Sequence, residues 1–177
     1  MSSDVVSGRN DLLLASVPEG LDALVIADLV REPAVGEGAN TLVHVARDDR
    51  RMEALKQQLA FFAASVRVIS FPAWDTVPYD RVGPNADIVA ERMATLAKLV
   101  VAARKQPTIV LTTVNAILQR VPPSGFVRKT IKQIAPGQRI DMKRLTERLS
   151  LTGYQRTGTV MEPGEFAVRG GILDLYS

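Results

Sequence analysis

The chain has 177 residues and a mass of 19.3 kDa, which is enough for one large domain or two small ones with buried cores. Hydrophobic residues make up 46% and charged residues 23%, as in ordinary globular proteins and unlike disordered ones. The chain has no cysteine and one histidine, His44, which excludes disulfides, thiolate or multi-histidine metal sites and cysteine nucleophiles. No apolar stretch approaches the roughly 20 residues that span a bilayer, and the N-terminus lacks a signal-peptide pattern. We therefore expect a cytoplasmic protein with no membrane partner.

The charge is distributed unevenly along the chain. Residues 1–120 contain 13 basic and 14 acidic residues, whereas residues 121–177 contain 9 and 5, so the net charge changes from −1 to +4. The change falls near Pro122-Pro123, and a double proline at a shift in composition is typical of a domain boundary. We predict one domain over residues 1–121 and a second over residues 122–177.

The first predicted domain alternates between strand-like and helix-like segments, which indicates an α/β layer with about four parallel strands. The predicted strands are short and apolar: Leu12–Val17, Thr41–Ala46, Val66–Phe71 and Thr108–Thr112. The predicted helices are Leu21–Val30, a helix capped by Asp48, a helix capped by Asn85, and Val114–Val121. In the helix after Asp48 the predicted apolar face consists of Met52, Leu55, Leu59 and Phe62. In the helix after Asn85 the predicted buried stripe consists of Val89, Met93, Leu96 and Val100, with Arg92 and Lys98 outside it.

The second predicted domain begins as a small α+β unit. Val127–Ile134 alternates apolar and polar residues, though imperfectly, and this pattern predicts a strand with one exposed face. Asp141 is placed to cap a helix whose apolar residues Leu145 and Leu149 face inward.

Two further strands are predicted in the last part of the sequence. They are Gln155–Met161 and Glu165–Tyr176, joined by a turn at Pro163-Gly164. Gly170-Gly171 interrupts the second strand and predicts a bulge. No turn or helix follows to close this sheet before Ser177, so we expect the second domain to be truncated.

The turn before the first predicted helix is where an α/β nucleotide-binding protein carries its phosphate loop. Such a loop needs glycines that expose backbone N–H groups, followed by Lys and Ser or Thr for the phosphates and Mg²⁺. The segment Ala15–Asp22 has one glycine and no lysine, and its carboxylates, Glu19 and Asp22, would repel a phosphate. We therefore expect no nucleotide binding, no cofactor, no metal and no catalytic residue.

The segment Phe71–Asp80 contains three aromatic residues and two prolines in ten positions. One interpretation is a platform on which a nucleic-acid base stacks. The favoured interpretation is that Trp74 and Tyr79 pack a long loop onto the edge of the sheet.

A basic stretch runs from Arg120 to Arg156, with nine basic residues against the acidic Asp141 and Glu147. The basic residues are Arg120, Arg128, Lys129, Lys132, Arg139, Lys143, Arg144, Arg148 and Arg156. Three interpretations stay open: a nucleic-acid surface, a docking face for an acidic protein, and a merely solvated surface. Few aromatic residues are interleaved with these charges, which counts against nucleic acid.

Three segments together resemble a known family: Pro72–Asp80, Asp87–Leu96 and Gly153–Tyr176. In this order and spacing they resemble the N-terminal region of the bacterial transcription-repair coupling factors (Mfd), a region that is itself similar to the excision-repair protein UvrB. The run Trp-Asp-Thr-Val-Pro-Tyr-Asp and the stretch Glu-Phe-Ala-Val-Arg-Gly-Gly are the most specific parts of the resemblance. It extends over most of the chain.

The resemblance implies a UvrB-like first subdomain that has lost its phosphate loop, followed by the start of the domain through which UvrB and Mfd recruit UvrA. Arg169 matches an arginine of the family's UvrA-binding surface, and Arg156 matches an arginine of the UvrB pattern. The ATP-dependent motor, which acts on DNA, and the RNA polymerase-binding module of the family would lie in regions absent here.

The expected function is therefore a non-enzymatic interaction module that contributes to UvrA recruitment in nucleotide excision repair at stalled RNA polymerase. The alternative is a basic nucleic-acid-binding module centred on residues 120–156. The steep salt dependence of phosphate contacts distinguishes the two.

Overall fold

The computed structural model describes residues 15–32, 41–77, 79, 81–101 and 106–177. The helices within these residues are α1 (Leu21–Arg31), α2 (Asp49–Phe62), α3 (Ala86–Val101), α4 (Val114–Ile117), α5 (Ser124–Thr130) and α6 (Met142–Leu151). The strands are β1 (Thr41–Ala46), β2 (Arg67–Phe71), β3 (Thr108–Thr113), β4 (Gln155–Arg156), β5 (Glu165–Arg169) and β6 (Ile172–Leu175). Among the described helices, none combines the length and the apolar character needed to cross a membrane.

The first sheet is parallel, and β3 lies between β1 and β2. The chain passes over β3 on its way from β1 to β2 and then returns to it, and since such crossovers are right-handed, α2 and α3 lie on opposite faces. All six residues of β3 are accordingly buried. This confirms the predicted α/β layer with a parallel sheet, which has three strands within the described residues.

The predicted strand Leu12–Val17 is not seen in this sheet. Residues 12–14 lie outside the described part of the chain, and residues 15–17 have no strand conformation. The helix that follows agrees with its prediction, and its buried residues Ala23, Ile26, Ala27 and Val30 pack with α2, Ile109 and Leu111 in one core.

The three predicted helix caps are present, each with a side-chain oxygen that accepts a backbone N–H. The capping residues are Asp48, Asn85 and Asp141, at distances of 2.8, 2.8 and 3.1 Å from the accepted nitrogens. Each cap satisfies a donor that the first turn of a helix leaves free. The predicted faces of α2 and α6 are buried accordingly.

The predicted stripe of α3 is wrong at two positions. Arg92, predicted to lie outside it, is 1% exposed, and Met93, predicted to lie inside it, is 41% exposed. The reason is that α3 turns its Arg92 and Thr95 side toward the sheet, where the Arg92 guanidinium stacks between the rings of Phe71 and Trp74. Two aromatic rings can stabilise a buried cation, and the spacing of apolar residues along α3 does not reveal such a site.

The strand predicted for Val127–Ile134 is also wrong, because its first part is helix α5. Val127 and Ile131 are four residues apart, the spacing of a helix, and the N–H of Ile131 donates to the oxygen of Val127 at 3.1 Å. Val127 is buried, and α5 packs against α3. The helix predicted for Val114–Val121 ends at Ile117.

The small sheet has the strand order β4-β5-β6, with β4 and β5 parallel and β5 and β6 antiparallel. Of the predicted strand Gln155–Met161 only the first two residues pair. Glu165–Tyr176 is not one bulged strand but a hairpin, because Gly170 has a φ of +58° and reverses the chain. Helix α6 covers one face of this sheet, which confirms a small α+β unit after the parallel sheet.

Candidate interaction face

The candidate site is the face of the small sheet that is turned away from α6. Phe166 and Val168 of β5 and Leu173 of β6 pack with Leu145 and Leu149 of α6. Because side chains alternate along a strand, the intervening residues point to the opposite side. We call this the outer face; Arg169, Ile172 and Asp174 are exposed on it, Glu165 is half-buried and Ala167 is buried.

Arg169 lies at the end of β5 and is exposed. Its Nη2 donates to the backbone oxygen of Gly158 at 3.0 Å and to Oγ1 of Thr159 at 3.2 Å. These bonds fix the guanidinium to the loop of residues 157–164. A guanidinium has five N–H donors, so most of its hydrogen-bonding capacity stays available at the surface.

Ile172 is the cross-strand neighbour of Arg169 and is 64% exposed. A cation that can form two parallel hydrogen bonds thus stands beside an apolar side chain, a combination that suits a protein interface. The sequence interpretation missed this pair, because in one continuous strand the two residues would not lie opposite each other. The signal that could have revealed this pair is Gly170-Gly171. The sequence analysis interpreted these glycines as a bulge, whereas they form the turn of a hairpin.

The loop of residues 157–164 is also fixed at its other end. The Glu165 carboxylate accepts backbone N–H groups of Met161 at 2.8 Å and Glu162 at 3.0 Å. These two hydrogen bonds lower the pKa of Glu165 below its usual value. The loop is therefore held to the outer face by Glu165 and by Arg169, and this part of the surface is organised before any partner arrives.

Arg156 does not share a face with Arg169. In the parallel pairing of β4 with β5, Arg156 lies opposite Phe166. Directly paired residues of neighbouring strands point to the same side, so the register places Arg156 on the α6 side of the sheet. It is exposed at the edge strand. The structure thus brings only one of the two predicted UvrA-binding arginines to the outer face.

The start of α1, where a phosphate loop would bind its ligand, is filled by the chain's own carboxylate. Asp22 Oδ1 accepts the N–H groups of Gly20 at 3.1 Å and Ala23 at 3.0 Å, and its Oδ2 accepts Nη2 of Arg51. Arg51 also lies 3.4 Å from the Glu19 carboxylate. Burial acts to raise the pKa of Asp22, but Arg51 and the two backbone N–H groups outweigh it and lower that pKa.

His44 lies on β1 beside this charge cluster. Burial lowers its pKa, with Asp22 acting to raise it and Arg51 to lower it. Within the described residues, no group of three His, Cys, Asp or Glu side chains is placed to hold a metal ion. His44 therefore has the surroundings of a packed histidine.

The aromatic segment after β2 is partly a packed loop. The backbone N–H of Trp74 donates to Oε1 of Gln119 at 2.9 Å. The Asp75 carboxylate accepts the N–H of Asn85 at 3.1 Å, which joins the two ends of the loop. Tyr79 is fully exposed, so the prediction that it packs on the sheet is wrong. Trp74 and Asp75 are thus each held by a hydrogen bond, whereas the side chain of Tyr79 is open to solvent.

Comparison with known proteins identifies the small sheet. Residues 133–177 match the UvrB interaction domain family. The chain is 31% identical over 174 residues to the transcription-repair-coupling factor of Haemophilus influenzae, covering 98% of this chain and 14% of that protein. The chain is homologous to a segment of the transcription-repair-coupling factors.

Two further transcription-repair-coupling factors illustrate the extent of the match. The protein of Escherichia coli is 33% identical over 156 residues, which covers 88% of this chain and 13% of the relative. That of Myxococcus xanthus is 37% identical over 142 residues, covering 77% and 12%. The chain therefore spans about one seventh of the length of the curated relatives it matches, or less.

These matches confirm the family resemblance that the sequence motifs indicated. The matched domain is an interaction domain and not a catalytic region. It contains α6 and the whole small sheet, so the outer face lies entirely within it. Arg156 and Arg169 both fall inside the matched residues, and their roles stay predictions.

Proposed function

We propose that this chain is an interaction module of transcription-repair coupling, which binds a UvrA-type partner through the outer face of the small sheet. The observation that supports it is the position of Arg169 and Ile172 inside residues that match the UvrB interaction domain. In this proposal the module brings the excision machinery to stalled RNA polymerase in the cytoplasm, and other regions of a longer protein contact the polymerase and DNA. The module itself performs no catalytic step.

Arg169 is the proposed centre of the contact. Its planar guanidinium pairs with a carboxylate of the partner through two parallel hydrogen bonds, a geometry that lysine does not reproduce. Ile172 packs beside this pair and excludes water, which strengthens the electrostatic attraction. The fixed loop of residues 157–164 reduces the ordering that binding requires.

The test is an alanine substitution at Arg169, with binding to the UvrA-type protein measured by calorimetry. Removing one partner of a hydrogen-bonded charge pair at an interface costs roughly 2–5 kcal/mol, which is a loss of about 30-fold or more in affinity. Arg156→Ala removes the same charge from the opposite side of the sheet and is the matched control, expected to change affinity less than threefold. Ile172→Ala is expected to weaken binding about tenfold.

Unchanged affinity for Arg169→Ala, in a variant with the wild-type melting temperature, would show that the outer face is not the site. Thr159→Val tests whether Arg169 acts by contacting the partner or by holding the loop of residues 157–164. The substitution removes one hydrogen-bond acceptor of Arg169 and keeps its charge. We expect Thr159→Val to bind nearly normally. A loss as large as that of Arg169→Ala would mean that Arg169 acts only by positioning the loop.

A further inference from the structure

A second surface concentrates positive charge where α5 meets α6. Arg148 donates through Nη2 to the backbone oxygens of Lys129 at 3.1 Å and Thr130 at 3.0 Å, at the end of α5. Arg144 precedes Arg148 by one turn on the same side of α6, with its side chain 86% exposed. We call this surface the basic corner; it joins Arg144 and Arg148 of α6 to the exposed Lys129 at the end of α5 and to the exposed cations near it in the sequence, Arg128 and Lys132.

The charges of the basic corner are poorly neutralised. Every residue from 120 to 156 is described by the structure, and this stretch contains nine basic residues and only two acidic ones. The ion pair formed within this stretch joins Asp141 to Arg144 at 3.6 Å, and Asp141 is also the cap of α6. Arg128, Lys129 and Lys132 are exposed and form no side-chain hydrogen bond or ion pair in it. A surface that serves solubility alone intersperses both signs of charge, which this one does not.

The chemistry of the basic corner favours phosphates over an acidic protein. Protein interfaces have a buried apolar or aromatic anchor at their centre. Of the apolar residues of α6, Leu145 and Leu149 are buried against Phe166 of the small sheet, and the exposed Leu151 is the last residue of the helix, beyond the cations. The corner therefore presents long, flexible cations, which are the groups that contact nucleic-acid backbones.

The same surface favours a duplex over a single strand. Single strands bind where exposed aromatic rings interleave with cations. Between residues 120 and 156, Tyr154 packs with the small-sheet core, which leaves Phe126 as the exposed ring of this stretch. We infer that the basic corner binds the phosphate backbone of duplex DNA without sequence preference.

This inference is independent of the proposed UvrA-type contact. Helix α6 covers the inner side of the small sheet, whereas Arg169 lies on the outer face. The basic corner and Arg169 are thus on opposite sides of the sheet. One module can then hold DNA and a protein partner at the same time.

The experiment is fluorescence anisotropy of the whole chain with a labelled 20-base-pair duplex of mixed sequence, over a series of salt concentrations. We expect micromolar affinity at low salt and a plot of log K against log salt with a slope of about −2.7, that is, about −0.9 for each of three phosphates. The triple variant Lys129→Gln, Lys132→Gln, Arg144→Gln should lose at least tenfold in affinity and most of the slope. The matched control removes three exposed cations from α2 and α3, as Arg50→Gln, Lys56→Gln, Lys98→Gln, and should bind within twofold of wild type.

Two results would overturn the inference. The first is an equal loss in the control variant, which would make the binding a property of net charge and not of this surface. The second is displacement of the duplex by polyglutamate or by single-stranded DNA as efficiently as by unlabelled duplex. Retention of duplex binding by Arg169→Ala, together with retention of UvrA-type binding by the triple variant, would support two separate sites.

Discussion

The guanidinium of Arg92 contacts the first part of the aromatic segment after β2. Arg92 lies 4.1 Å from the ring centroid of Phe71 and 4.2 Å from that of Trp74. Its Nη1 donates to the backbone oxygen of Pro72 and, at 3.1 Å, to Oε1 of Gln119. Within the described residues no carboxylate pairs with it. Stacking and the hydrogen bonds of Nη1 to neutral oxygens therefore offset part of the cost of burying this charge, while Nε is buried without a hydrogen-bond partner.

Arg92→Met keeps much of the length of the side chain and removes its charge and its hydrogen bonds. We expect a loss of about 2–4 kcal/mol in the free energy of unfolding, from two lost hydrogen bonds and a desolvated cation–π contact. Trp74 is the single tryptophan of the chain, so its fluorescence follows urea unfolding at this position. The native emission should shift to the red as the ring loses its cover. An exposed control, Arg50→Met, should change the stability by less than about 0.5 kcal/mol, and an unshifted midpoint for Arg92→Met would contradict the role.

At the scale of single elements, the sequence predicted the buried face correctly for helices whose surroundings are uniformly apolar. The predicted faces of α2 and α6 are correct because each packs on an apolar core. The prediction failed for α3, which faces an aromatic box that binds a cation, and for α5, which has a single buried position, Val127. The pairing of Arg169 with Ile172 depends on the turn at Gly170, a backbone conformation that composition does not specify.

Two titratable groups near the start of α1, His44 and Asp22, make the stability of the fold depend on pH. His44 has a folded pKa below its ordinary value of 6.5, so the unfolded chain binds its proton more tightly. Its contribution to stability is complete above pH 6.5 and is lost as the pH falls through the lower folded pKa. The folded pKa of Asp22 is likewise below its ordinary value of 3.8, so its contribution to stability is also lost as the pH falls through the lower folded pKa.

Urea unfolding at a series of pH values tests this assignment. His44 is the one histidine of the chain, so wild-type stability should fall between pH 7 and pH 5, and His44→Gln should flatten this part of the profile. Asp22→Asn is the comparison: it should lower stability at pH 7 and change the profile mainly below pH 4.5. Parallel profiles for wild type and His44→Gln between pH 7 and pH 5 would show that burial of His44 does not control this range.

At the scale of the whole molecule, the described residues form two cores that share no side chain. One joins α1 and α2 to the parallel sheet, and the other joins α6 to the small sheet. Helix α5 contacts both parts, because it packs against α3 and its last carbonyl groups accept Arg148. The division at residue 121 stays a prediction, and α5 is the element on which it depends.

Leu149→Ala tests whether the two cores unfold separately. Leu149 is 8% exposed, and truncating a buried leucine costs about 2–5 kcal/mol. We expect faster amide exchange in β5 and β6 and an unchanged urea midpoint for Trp74 fluorescence. The matched variant Leu59→Ala, in the core of the parallel sheet, should do the reverse. A common shift of both signals in both variants would show one cooperative unit and contradict the predicted boundary.

The carboxylate of Asp22 is covalently part of the site that it fills, so its local concentration is constant. A diffusible ligand that binds the folded state adds stability in proportion to the logarithm of its concentration. The N–H groups of Gly20 and Ala23 and the guanidinium of Arg51 instead have a permanent counter-charge. We therefore expect the stability of the parallel sheet to be the same in cells with high and with low nucleotide concentrations.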